Sequence, residues 1–329
     1  MDTLRIVFMG TPDFSVPALE ALAMSKHEIV GVFCQPDRAK GRGNKMQIPP
    51  VKACALAHNL PVYQPNRLSR HELQKQIEEL APHLIIVIAY GKILPSWLLE
   101  LPPLGCVNMH ASILPKYRGA APIQWAILEG ETETGITVMQ MDEGMDTGDI
   151  LKTFSLPILP NETAGELFDR LAKLSGEAIV PVVESLLEGE LVPQKQDHEK
   201  ATYTHKITKE MGHINWEKDG ETICHQIRGL NPWPSAFTVI KNTRFKIHKA
   251  NISTNASMSF EAHDNKPNVK SDFPPGAIIA MDRDTFTVQT GKGIVSVLEV
   301  QPDNKKKMSG GDFCRGWGVS IGDVLHEDR

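Results

Sequence analysis

The chain has 329 residues, 41% hydrophobic and 23% charged, with a formal net charge of -5. That composition excludes general disorder, and the length fits two domains of about 100–200 residues better than a single core. The longest apolar run, Leu84 to Tyr90, falls far short of the ~18 residues a membrane span needs. The start carries no basic, long apolar leader, so a cytoplasmic protein without membrane contact is expected; a monomer is expected as well. Cysteines 34, 54, 106, 224 and 314 include no C-x-x-C pair and make a poor disulfide framework. Up to residue 205 there are 18 Lys+Arg against 25 Asp+Glu, and beyond it 17 against 15, net -7 and +2, which together give -5. A polyanion could therefore be held only by local basic patches.

The first part alternates strands and helices. Leu4–Met9 reads as a buried strand, residues 17–24 as a helix with Pro in its first turn, and 28–34 as a second strand. Helices are expected over 51–59 and 68–80, and the strongest strand over 84–89. A short strand over 106–110 follows, then a helix over 121–128 and a strand over 135–141. This alternation implies an α/β, Rossmann-like domain with a mostly parallel sheet. A long helix starts at the capping box Thr163-Ala-Gly-Glu166 and closes the domain, set at residues 1–190. Polar residues 191–205 read as a linker. In 206–329 the pattern shifts to one helix, 221–230, and strands over 236–240, 244–252, 277–282, 285–290 and 294–300, which suggests an OB-like β-barrel. Residues 253–275, polar and proline-rich, read as a mobile loop.

Several common chemistries lose their support. Gly41-Arg-Gly43 lacks a third glycine and joins no strand to a helix, and there is no P-loop, G-x-S-x-G elbow or H-E-x-x-H helix.

The informative segment is Gly105 to Pro122. Asn108 and His110 stand two apart on a strand, so they share a face while Met109 takes the other. At the C-terminal end of a strand, where open α/β sheets bind ligands, an amide can stabilise an oxyanion and an imidazole can carry a proton. Ser112-Ile-Leu-Pro115 and the small residues after Arg118 place apolar surface around that polar pair, as a flat heterocycle would require. In the acidic loop Met141-Asp-Glu-Gly-Met-Asp-Thr-Gly-Asp149, Asp146 or Asp149 could reach and orient His110, although such aspartates also bond their own turns. No metal is expected, because Asn is a poor zinc ligand and no Cys or second His lies near.

Arg38, Lys40, Arg42 and Lys45 put four cations in eight residues without an acid, on a loop made pliable by Gly41 and Gly43. Arg244, Lys246 and His248 alternate with Phe245 and Ile247, giving one basic and one buried strand face, and Lys305, Lys306 and Lys307 form a further run. Each pattern also suits an ordinary solvated surface. Trp216 and Trp233 suit core or hinge positions better than base-stacking platforms.

The blocks 107–115, 118–124 and 134–149 resemble those of the folate-dependent formyltransferases. The likeness runs from Phe8-Met-Gly-Thr-Pro-Asp-Phe14 through Gln35-Pro-Asp-Arg38 and Asn231-Pro-Trp-Pro234 to Gln301–Ser309. Within the family the chain is most similar to the members that act on charged initiator tRNA. The resemblance implies 10-formyltetrahydrofolate as formyl-donor cosubstrate and the α-amine of initiator methionyl-tRNA as acceptor. It implies Asn108, His110 and Asp146 as the catalytic trio. Ser112, Ile113, Leu114 and Pro115 would lie along the folate. Arg38, Lys40, Arg42, Lys45, Arg244, Lys246, Lys305, Lys306 and Lys307 would contact tRNA. Ile113 stands where Leu is usual and Lys116-Tyr117 where Arg-Trp is common. A formyltransferase for an amino sugar nucleotide or purine precursor, or a formyltetrahydrofolate hydrolase, would share the central blocks. A non-catalytic nucleic-acid-binding module is the alternative from another class, and an inert scaffold has no need of these blocks together.

Overall fold

Hydrophobic strands and amphipathic helices sort the chain into two units in the computed structural model, which describes residues 3–40, 45–253 and 273–326. The first unit comprises Met1–Ile123, Glu133–Pro157 and Glu166–His205. In chain order come β1 (Arg5–Gly10), α1 (Val16–Ala23), β2 (Glu28–Phe33) and the short hairpin β3 (Arg38–Lys40) and β4 (Lys45–Gln47). They are followed by α2 (Pro50–Ala57), β5 (Val62–Tyr63), α3 (Arg70–Leu80), β6 (Leu84–Ile88), α4 (Ser96–Leu99), β7 (Cys106–His110) and β8 (Arg118–Gly119). Then come α5 (Pro122–Leu128), which from Gln124 on counts with the second unit, β9 (Glu133–Gln140), β10 (Ile150–Pro157), α6 (Ala164–Leu187), of the first unit from Glu166 on, and β11 (Tyr203–Thr204).

Seven strands form one sheet in the order β10-β9-β7-β6-β1-β2-β5. The pairs from β5 to β7 are parallel, whereas β9 runs antiparallel to both β7 and β10. Every residue of β6 is buried, as a central parallel strand covered on both faces requires. Val7, Met9, Val30, Phe33, Ile85 and Val87 pack with Leu73 and Ile77 of α3 on one face. β10 escapes the sequence pattern because it is an edge strand whose residues are mostly exposed or half-buried, leaving a weak apolar alternation. α6 approaches the start of α1 closely: a Cβ on Gly176 would lie 2.9 Å from Pro17 Cβ, and Phe14 meets Phe168 edge to face at 5.3 Å.

Residues 191–205 are more than a tether. Gln194 bridges Ile150, a 3₁₀ turn spans His198–Lys200, and β11 pairs in parallel with β8. Polar composition alone does not distinguish a free linker from a strap whose polar groups are satisfied by the domain beneath it.

The second unit comprises Gln124–Thr132, Ile158–Gly165 and Lys206–Arg329. It contains α7 (Gly220–Gly229), β12 (Ala236–Ile240), β13 (Thr243–Ile252), β14 (Ile278–Met281), β15 (Phe286–Gln289), β16 (Ile294–Pro302), β17 (Met308–Ser309) and α8 (Gly310–Trp317). The antiparallel order is β12-β13-β16-β15-β14, with β17 beside β16. The two edge strands are joined by the C-terminal segment, where Val324 bridges Ala277 and His326 bridges Val239. This segment gives both edges main-chain partners and wraps the sheet around a core of Phe245, Ile247, Phe286, Val288, Val297 and Phe313. Trp216 belongs to that core, its indole N–H donating to Thr238 Oγ1 at 3.1 Å, whereas Trp233 is 55% exposed and is no core aromatic. The proline-rich stretch expected to be a mobile loop lies, over residues 254–272, outside the described residues.

Candidate active site

β7 presents Asn108 and His110 on one face at the end of the sheet, and the loop between β9 and β10 brings Asp146 against both. Asn108 Nδ2 donates to Asp146 Oδ1 at 3.5 Å, and His110 Nδ1 lies 3.6 Å from the same oxygen. The second carboxylate oxygen accepts the Gly119 N–H at 2.8 Å. On the far side of the ring, His110 Nε2 stands 2.9 Å from the Tyr117 carbonyl. A carbonyl can only accept, so Nε2 is the donor in this contact, and Nδ1 is the nitrogen that faces Asp146. The imidazole is nearly enclosed, with 8% of its side chain exposed against 16% for Asp146.

The acidic loop is shaped for this placement. Asp146 adopts φ +53°, a left-handed conformation that Asp tolerates better than bulkier residues do. Gly148 packs so tightly that a Cβ there would fall 1.7 Å from the Gln140 carbonyl oxygen, which only glycine permits. Asp149 contributes its main-chain carbonyl to the Gln140 N–H, and the carboxylate found against His110 is that of Asp146.

The loop 112–119 folds over the pair from the other side. Ser112 is fully buried, its hydroxyl donating to the Lys116 carbonyl at 2.7 Å, and Leu114 is 4% exposed. Thr137 fixes this loop, donating to the Ser112 carbonyl at 2.6 Å and accepting the Leu114 N–H at 3.1 Å. Ser112 and Leu114 are therefore internal supports, and Ile113 and Pro115 supply the half-exposed apolar surface beside the trio. Sequence alternation could not separate these roles because the segment is neither strand nor helix. Cys106 is fully buried, its thiol pushed up to about 12 by burial, which suits a core residue and not a nucleophile.

Two residues of this region escaped the sequence reading. Arg118, only 1% exposed, donates from Nε and Nη2 to Gln196 Oε1 at 3.1 and 2.7 Å, and Gln196 in turn holds the Asp146 loop. Arg118 sits in the Arg-Gly-Ala-Ala run already singled out, but Gln196 carried no signal in a stretch that looked like a linker.

The basic residues fall in separate places. Arg38 is exposed on β3, and Lys40 pairs with Lys45 across the β3–β4 hairpin, while Arg42 lies outside the described residues. The hairpin base is clamped by Lys52, which reaches both Asp37 oxygens at 2.9 and 2.7 Å and Gln64 at 2.7 Å. In the second unit, the exposed Arg244 guanidinium lies 3.7 Å over the Phe237 ring and Lys246 is half-exposed. His248 departs from the expected basic face: it is 8% exposed and hydrogen-bonded to Gln301 at 3.0 Å, at a strand position where the ladder slips register. Burial holds its imidazole below the usual range. Lys305, Lys306 and Lys307 are exposed, with Lys307 paired to Glu299 at 2.8 Å.

Comparison with known proteins agrees with this layout. The formyl transferase family model matches residues 4–183, and the formyl transferase C-terminal domain model matches 206–318. The methionyl-tRNA formyltransferase of Desulfotalea psychrophila is 44% identical over 323 residues, covering 98% of this chain and 96% of that protein. The methionyl-tRNA formyltransferase of Marinobacter nauticus is 45% identical over 313 residues, covering 95% of this chain and 96% of that protein. Among solved structures, WlaRD, a sugar 3N-formyltransferase crystallised with dTDP and 5-N-formyl-THF, shares the fold at TM-score 0.65 and 20% identity, covering 92% and 99% of the two chains. With both domain models matched in order and near full-length relatives at this identity, the chain belongs to the formyl transferase family.

Proposed function

We propose that this protein transfers the formyl group of 10-formyltetrahydrofolate to the α-amine of methionine esterified to initiator tRNA, preparing it for translation initiation. The observation that carries the chemistry is one carboxylate, Asp146, facing both Asn108 and His110 at the sheet end. The near full-length likeness to methionyl-tRNA formyltransferases supports the acceptor. The half-exposed apolar surface of Ile113 and Pro115 beside polar groups suits a pterin ring, and Ser112 and Leu114 shape the loop that offers it.

The reaction needs a neutral amine, a polarised formyl carbonyl and a protonated leaving nitrogen. An amide nitrogen has two hydrogens: with one of Asn108's directed at Asp146, the other donates to the oxygen that becomes negative as the amine adds. Losing one such donor costs about 10²–10³ in rate. His110 takes the amine's proton at Nδ1 and delivers it to the departing folate nitrogen, and Asp146 balances the charge in between. The new N–C bond forms as the amine adds, the folate C–N bond breaks as the tetrahedral intermediate collapses onto the protonated leaving nitrogen, and no covalent enzyme intermediate is required. The first unit performs the transfer, and the second helps hold the tRNA backbone. Arg38, Lys40, Arg42, Lys45, Arg244, Lys246 and Lys305–Lys307 serve as phosphate contacts that position without reading sequence.

The test supplies the purified protein with 10-formyltetrahydrofolate and, separately, charged initiator tRNA, elongator tRNA carrying methionine, and a dTDP-amino sugar. Formylation confined to the initiator species is expected. Formyl transfer to the sugar, or hydrolysis of the donor without any acceptor, would overturn the assignment.

A further inference from the structure

The catalytic loop is held from behind by the segment that sequence composition assigns to a linker. The side chain of Gln196, 5% exposed, uses its whole carboxamide. Its nitrogen donates to the main-chain carbonyls of Asp146 at 2.9 Å and Gly148 at 2.7 Å, and its oxygen accepts both the Nε and Nη2 hydrogens of Arg118. Two donors and two lone pairs are thus all engaged. Arg118 is anchored further by the Tyr203 hydroxyl at 3.2 Å and His198 Nδ1 at 3.2 Å. Its main chain is pinned on both sides, its N–H donating to the Thr202 carbonyl at 2.9 Å and its carbonyl accepting from Thr204 Oγ1 at 3.0 Å. The next residue, Gly119, supplies the N–H that holds the Asp146 carboxylate. Residues 196–204 therefore fix Asp146 twice, through its carbonyl by way of Gln196 and through its carboxylate by way of Gly119. Asp146 sits at φ +53°, a left-handed conformation that Asp tolerates and that these bonds help to hold.

We propose that Gln196, anchored by the buried guanidinium of Arg118, is a positioning residue for formyl transfer, holding the Asp146 main chain so that its carboxylate stays against Asn108 and His110. The inference rests on the catalytic role assigned to Asp146 above. A catalytic group displaced by about 1 Å loses on the order of 10²-fold in rate. An indirect role also fixes how the effects combine, because removing the brace costs nothing once the group it positions is gone.

The decisive variant is Gln196→Glu. It keeps an oxygen for Arg118, and hence the buried anchor, but replaces the nitrogen that makes both donor bonds with one oxygen facing two carbonyls. Expected is a fall in kcat of about 10²-fold with KM for donor and charged tRNA within about twofold. In an Asp146→Ala background, Gln196→Glu should lower kcat less than about twofold further. Gln196→Asn, too short to span the same groups, should fail to restore the rate. Should Gln196→Glu prove unstable, Arg118→Lys makes the same test from the other end, since lysine cannot reproduce the two-pronged bond to Gln196. Full kcat in the Gln196 and Arg118 variants would overturn the proposal, as would a loss lying in KM or repeated undiminished without Asp146. If Asp146→Ala alone keeps full kcat, the catalytic assignment itself fails, which is a separate result.

Discussion

Replacing Asp146 by Asn removes its charge at constant size. Asn accepts left-handed backbone readily, so φ +53° is retained, and its carboxamide oxygen can still accept the Gly119 N–H now bound at 2.8 Å. What disappears is the negative charge 3.6 Å from His110 Nδ1, together with the oxygen that accepts from Asn108 Nδ2 at 3.5 Å. At an effective dielectric of about 20, a unit charge pair at that separation is worth about 4–5 kcal/mol. Water at the partly exposed carboxylate screens part of this, which leaves about 3–4 kcal/mol as the upper bound on what the charge supplies to the transition state. At 1.4 kcal/mol per factor of ten, kcat falls by up to about 10²–10³-fold. The new amide N–H also faces the Nδ1 lone pair and competes for it. Rapid-quench single turnover with both substrates saturating measures the step directly, and thermal melting confirms the fold. A rate within about threefold of the unsubstituted protein, or a defect lying in KM, would refute the reasoning.

Three further outcomes follow from the same geometry. Gly119→Ala, at φ +104° with its Cβ placed 2.7 Å from the Thr204 carbonyl, should cost about 1–3 kcal/mol of stability and lower kcat by moving the N–H that holds Asp146, read by urea unfolding and initial rates. A stable, fully active Gly119→Ala protein would contradict it. Burial holds the His27, His225 and His248 imidazoles below their ordinary 6.5, outweighing for His27 the opposing Glu184 carboxylate. These groups charge more readily when unfolded, so their contribution is complete above about pH 6.5 and is lost as pH falls through the lowered native values. The urea midpoint should drop between about pH 7.5 and 5.5, and His27→Gln should flatten that slope, whereas a midpoint that holds or rises would sink the argument. Arg244→Ala should raise KM for charged tRNA at unchanged kcat and reduce the log–log salt slope of binding by about 1, and an unaltered slope would remove Arg244 from the tRNA contact.

The meeting of Asn108, His110 and Asp146 was readable because two of the three obey the simplest rule in a strand. Alternation puts Asn108 and His110 on one face whatever the tertiary context, and a loop crowded with aspartates after the next long strand leaves few other acids within reach. Which aspartate arrives could not be read, because it depends on the left-handed turn at Asp146 and the tight packing at Gly148. The antiparallel course of β9 was equally hidden, since burial on both faces looks alike in either direction. Residues 191–205 mislead for a plainer reason. Gln196 and its neighbours are polar because they satisfy buried main-chain groups, and that polarity is indistinguishable from a solvated tether until the partners are known. His248 shows the reverse case, counted on a basic face by period yet turned inward where the ladder slips.

The most direct measurement of the central claim is the single-turnover rate of His110→Ala with 10-formyltetrahydrofolate and charged initiator tRNA both saturating. A loss of about 10²–10⁴-fold, with binding of each substrate retained, is the predicted result. A rate close to that of the unaltered protein would show that the proton moves by another route, and the trio centred on Asp146 would lose its catalytic meaning.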